Sequence, residues 1–152
     1  NSLENGYTVD WAADVSEPGF QYSKGFAVIP AGVGEDAQNT EWSKWETMSA
    51  NSRRNMIANA TEPIKEMEIT QELRQQGYDN YETTDDHGML ITGLYKDQNG
   101  NTFYKVKNSW NTDNIYDGYF FASAPFVAYK TLNIVVHKDA VPKDIRKKLG
   151  IK

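Results

Sequence analysis

Near the start of the chain, Tyr7, Val9, Trp11 and Ala13 alternate with Thr8, Asp10 and Ala12. A period of two sets these groups on opposite sides of an extended backbone, so 7–13 predicts a β-strand with one buried side. Glu17-Pro18-Gly19 ends it. The stretch 18–39, with Pro30 and several glycines, reads as a connecting loop with at most a short edge strand at 26–29. From residue 40 the spacing becomes helical. Trp42, Trp45 and Met48, then Met56, Ile57, Ala60 and Ile64, predict helices packed on a core and divided at Pro63. Thr70 ahead of Leu73 predicts an N-cap, and Gly77 the stop of a last short helix. Alternation returns in 89–95 and 102–108, and the Asn99-Gly100 pair between them predicts an antiparallel hairpin. Further strands are predicted at 116–121 and 130–136, and a surface helix at 143–149 after Pro142.

This order of elements predicts an α+β fold in one domain, 1–152. It comprises a first strand and turn (1–17), a loop (18–39), a helical stretch (40–82), an antiparallel sheet (83–142) and a C-terminal helix or tail (143–152). At 152 residues the chain is long enough to bury a core. With 39% hydrophobic and 24% charged residues it has the composition of a soluble globular protein. No apolar run approaches the ~20 residues that a membrane-spanning helix needs, so no membrane partner is predicted. The formal charge of −5, with bases gathered at Lys143, Arg146, Lys147, Lys148 and Lys152, argues against a nucleic-acid partner. The chain opens on Asn1-Ser2-Leu3-Glu4 without a methionine, which suggests a processed or excised piece.

The chemistry concentrates in Asp85-Asp86-His87-Gly88-Met89 and, one hairpin later, Lys107-Asn108-Ser109-Trp110. A hairpin brings His87 and Asn108 together at its open end. An asparagine oxygen can accept the N–H of one ring nitrogen, fixing the tautomer and leaving the other nitrogen to face a nucleophile. Trp110 is placed to cover that hydrogen bond. Such a pair is the base half of a thiol machine, yet the chain has no cysteine, which excludes disulfides, thiolate zinc sites and thiol catalysis within it. Asp85, Asp86 and His87 are adjacent and point to opposite sides of an extended chain, which argues against a metal site, and no cofactor is predicted. Asp86 is expected to make local backbone or arginine contacts, and Gly88 to leave room in a pocket wall. His137 reads as a solvated histidine. Neither Ser109 nor Ser123 lies in a Gly-x-Ser-x-Gly elbow.

In these two segments the sequence resembles the papain-like cysteine peptidases, and within them the bleomycin hydrolase and aminopeptidase C branch. Asp86-His87-Gly88 is similar to the family's catalytic-histidine segment, and Asn108-Ser109-Trp110 to its orienting-asparagine segment. The resemblance implies that 7–17 opens the barrel-like right-hand half of that fold and that the helical region is an insertion. It implies catalytic roles for His87 and Asn108, with Trp110, Asp86 and Gly88 in support. It further implies a peptide substrate, a cytoplasmic location and a hexameric assembly. The family's cysteine and oxyanion-hole glutamine lie in an N-terminal half with no counterpart here, so the resemblance implies a partner half of the same protein and no activity in this chain alone. Asn111 stands where the family has glycine, and asparagine is the side chain best able to take a left-handed backbone there. The chain also stops soon after Pro142, short of the branch's extended tail. The alternative is a non-catalytic peptide- or protein-binding module of the same ancestry. An excised half would expose Trp11, Phe20 and Phe26 and self-associate.

Overall fold

In the computed structural model the described residues are 2–32 and 41–151, with the backbone alone for 41–43. Within them the strands are β1 (Val9–Ala13), β2 (Phe20–Gln21), β3 (Phe26–Ala27), β4 (His87–Lys96), β5 (Thr102–Lys107), β6 (Tyr119–Ser123) and β7 (Thr131–Val136). The helices are α1 (Ala50–Ala58), α2 (Gln71–Asp79), α3 (Ala124–Lys130) and α4 (Lys143–Leu149). The strands form one open sheet in the order β2-β3-β6-β5-β4-β1-β7. Every pairing is antiparallel except β3 with β6. The fold is α+β. No helix among the described residues is long and apolar enough to cross a membrane.

β1 lies between β4 and the edge strand β7. Its alternation buries Val9, Trp11 and Ala13 on the core side, where Met89, Ile91, Val106, Phe120 and Phe126 meet them. Trp11 and Phe20 are 1% and 5% exposed, so they belong to the core and not to an exposed face available for self-association. The hairpin β4–β5 forms as predicted, with Gly100 at φ +83° in its turn and Asp97 accepting the amides of Asn99 and Asn101. Only glycine takes that backbone without strain.

Several expectations are corrected. The stretch read as loop carries β2 and β3, and β3 is flanked on both sides, by β2 and β6, where an edge strand was expected; residues 33–39 of that stretch lie outside the described residues. Thr70 caps α2 through its hydroxyl, which accepts the amide of Leu73, but Gly77 does not stop the helix. It is buried inside α2, because a Cβ there would meet the Tyr129 ring at 2.9 Å. The stretch 116–118 is a turn leading into β6. Trp45 and Met48 are half-buried and outside the core cluster, with Arg53 lying over the Trp45 ring; the side chain of Trp42 lies outside the described residues. The helix α3, absent from the elements expected above, is capped by Ser123, whose hydroxyl accepts the amide of Phe126.

The helical region is fastened to the sheet through the segment between α1 and α2. Glu66 accepts the amide of Ile29 at 2.8 Å and the hydroxyl of Ser123. Main-chain bonds from Ala31 to Lys65 and from Met67 to Ile29 flank it. Burial raises the Glu66 carboxyl above its ordinary range.

Candidate active site

Strand parity brings the two motifs together. Leu90 is opposite Lys107, so the next step sets Asn108 opposite Met89, and His87, two residues from Met89, falls diagonally on the same side. His87 begins β4 opposite Ala13 of β1. Its Nε2 lies 2.7 Å from Asn108 Oδ1. The proton can be placed by elimination. The same Asn108 atom receives the amide of Ser109 at 2.8 Å. An amide N–H only donates, so the receiving atom is an oxygen, and Nε2 facing that oxygen must itself carry the proton. In the neutral ring Nδ1 then keeps its lone pair, and no hydrogen bond engages it among the described residues.

Asn108 is 2% exposed, and its Nδ2 is buried without a partner among the described residues. Trp110 lies over His87 with ring centroids 5.0 Å apart and planes tilted by 34°. Its position comes from Phe20, expected above only as an exposed face, and Tyr22, which the sequence reading passed over; they meet it edge to face at 5.8 and 5.0 Å. The Tyr22 hydroxyl also donates to the Asn111 carbonyl at 2.6 Å. Asn111 is not left-handed; among the described residues positive φ outside glycine is confined to Tyr81 and Asp117. Its side chain instead donates to Asp113, so the residue is accommodated as an ordinary turn position.

Asp86 takes hydroxyl partners where an arginine was one expectation: Ser16 Oγ and Thr84 Oγ1 donate to its two oxygens. The Ser16 bond is the main reason its carboxyl lies below its ordinary value. Gly88 is exposed, with open space where a side chain would stand. It lines a shallow cavity of about 400 Å³ with Asp10, Ala12, Leu90, Asn108 and Val135. His137 is remote, stacked on Tyr7 at 5.1 Å. The site therefore holds an oriented imidazole with one free ring nitrogen, sheltered on one side by an indole and bordered by an open groove.

The model of the Peptidase C1-like family matches residues 40–151. The chain belongs to that family. Among curated relatives, an Aminopeptidase C of Lactococcus lactis subsp. cremoris is 41% identical over 59 residues, covering 38% of this chain and 14% of the relative. An Aminopeptidase C of Lactobacillus helveticus is 33% identical over 69 residues, covering 45% and 15%. The matches thus span less than a sixth of those relatives' length. PepW from Lactobacillus rhamnosis superposes on 99% of this chain and 28% of its own, with a TM-score of 0.57 and 20% identity. That likeness shows the fold. The resemblance read from the His87 and Asn108 segments thus holds at the level of the family.

Proposed function

We propose that this chain is the base-bearing portion of a cysteine aminopeptidase, with His87 as general base and acid, Asn108 orienting it and Trp110 shielding their hydrogen bond. The observation that carries the reading is the 2.7 Å contact between His87 Nε2 and Asn108 Oδ1 with Nδ1 left open. The thiol and the oxyanion donor come from polypeptide outside this chain, so the chain alone is inactive. In the assembled site Nδ1 takes the thiol proton, giving a thiolate and an imidazolium. The thiolate attacks the peptide carbonyl, Nδ1–H protonates the departing amine as the C–N bond breaks, and a thioester remains. Nδ1 then accepts a proton from water, whose oxygen attacks the thioester; the carboxylic acid leaves and the ion pair is restored. Throughout, Nε2–H stays on Asn108. Peptides with a free N-terminus are the proposed substrates, and assembly into a homo-oligomer is part of the same reading.

The test uses the natural polypeptide that carries this segment. Intact mass, iodoacetamide labelling and hydrolysis of an aminoacyl-coumarin are measured together. A mass well above 17.2 kDa, one rapidly alkylated thiol and parallel loss of hydrolysis support the reading, and His87→Ala then abolishes turnover. A product with no thiol and no hydrolysis, or full activity in His87→Ala, overturns it and leaves the peptide-binding module.

A further inference from the structure

The mechanism leaves unused a buried cation close to the site. Lys130, the last residue of α3, is 1% exposed. A desolvated ammonium is costly unless its hydrogens and charge are satisfied. Here the Glu17 carboxylate binds it directly and Asp14 Oδ2 lies 4.0 Å away. The Glu82 carbonyl accepts from it at 2.7 Å, and the Tyr129 ring lies 4.6 Å off.

These contacts converge on one segment. Asp14, itself 3% exposed, accepts the amide of Thr84 at 3.0 Å through Oδ2 and the amide of Ser16 at 2.9 Å through Oδ1. Ser16 in turn donates its hydroxyl to Asp86. Buried Lys130 and Asp14 therefore grip residues 82–86 at the Glu82 carbonyl and the Thr84 amide, exposed Ser16 adds the Asp86 carboxylate, and the next residue is His87. A buried ion pair is an inefficient way to stabilise a fold, since well-packed apolar groups of the same volume do as well. It is an effective way to fix a loop in one place, because each charged bond is directional.

We propose that Lys130 is a positioning residue for His87: with Asp14 and Ser16 it locks 82–86 so that the imidazole meets Asn108 through Nε2. The consequence for catalysis rests on the function proposed above, but the placement itself can be measured without a thiol.

The experiment is nitrogen-15 NMR of the imidazole in this chain, with His137→Gln as background so that His87 is the single histidine. The wild-type ring is expected in the Nε2–H form. Ser16→Ala, at an exposed residue, and Lys130→Met are expected to lower the ratio of Nε2–H to Nδ1–H tautomers about two- to tenfold, the range for weakening one hydrogen bond. Lys130→Arg is expected to recover part of that ratio. Circular dichroism establishes that each variant is folded, and Ser16→Ala decides the matter if Lys130→Met is not. Wild-type nitrogen shifts in the folded variants would overturn the proposal. Absence of thiol-dependent hydrolysis in the natural polypeptide would sink the peptidase reading and leave the NMR result standing, whereas an active enzyme with an unchanged imidazole would sink the positioning role alone.

Discussion

Asn108→Ala separates the two things that Asn108 does. Its Oδ1 accepts from His87 Nε2 at 2.7 Å and from the Ser109 amide at 2.8 Å. At about 1 kcal/mol net for each bond, their loss costs about 2 kcal/mol. Against this stands the Nδ2 group, buried with no acceptor among the described residues. An orphaned buried donor costs about 1–3 kcal/mol, and the alanine variant removes it. Removing Nδ2 offsets part of that loss while the Ser109 amide and His87 Nε2–H lose their acceptor, so the variant should lose about 1–2.5 kcal/mol of stability although Asn108 is deeply buried. The orienting role has no such offset. With no oxygen to receive Nε2–H the ring tautomers equalise, and turnover in the natural polypeptide should fall roughly tenfold, one hydrogen bond's worth, while the fold survives. Urea denaturation at constant slope reads the first quantity and aminoacyl-coumarin hydrolysis the second. A stability loss beyond about 2.5 kcal/mol would mean that Nδ2 has a partner and would refute the offset. Unchanged turnover would refute the orienting role.

Three further outcomes follow from the packing. Gly77→Ala should destabilise by about 1–3 kcal/mol in urea, although helix propensity alone would favour alanine by about 1 kcal/mol, because the new Cβ would lie 2.9 Å from the Tyr129 ring; a stabilised variant would show that the ring moves aside freely. Glu66 tests the acid response of the clamp between the helical region and the sheet. Burial raises its folded-state value above the ordinary 4.5, so the folded chain holds the extra proton, and the group's contribution is full below the unfolded value and fades as pH rises through the folded one. The urea midpoint of Glu66→Gln relative to wild type should therefore climb from acid toward neutral pH, and a gap independent of pH would contradict the assignment. Ser123→Ala removes both the cap of α3 and a donor to Glu66, so thermal unfolding should report a loss of about 1–2 kcal/mol, and a loss near zero would show that the cap contributes nothing.

The parts of the fold that could be read in advance were those fixed by local rules. The alternation of Val9, Trp11 and Ala13 and the Asn99-Gly100 turn act over a few residues, but the register that brings His87 to Asn108 also needs a one-residue shift between Ile91 and Gly93 that no local signal announced. The misread parts depend on partners distant in sequence. Gly77 looks like a helix stop until Tyr129 is seen against it. β2 and β3 are two residues each, too short to show any period. α3 did leave a signal, since Ser123 with Pro125 in the first turn is an N-terminal signature.

The same division runs through the site. His87, Asn108 and Trp110 could be found because their spacing carries a chemical meaning that survives without coordinates. Phe20 and Tyr22, which seat the indole, and Asp14, Ser16 and Lys130, which hold the loop before His87, carry none, because each is an ordinary residue made specific by what it touches. Lys130 alone offered a hint, as a charged residue following Phe126, Val127, Ala128 and Tyr129 at the end of an apolar run. A lone charge in such a run is either snorkelling to solvent or committed to buried partners. At 1% exposure it is the second, and its partners lead within a few residues to the imidazole. In the function proposed above, an imidazole held by one neutral hydrogen bond takes its place from a backbone anchored by charge.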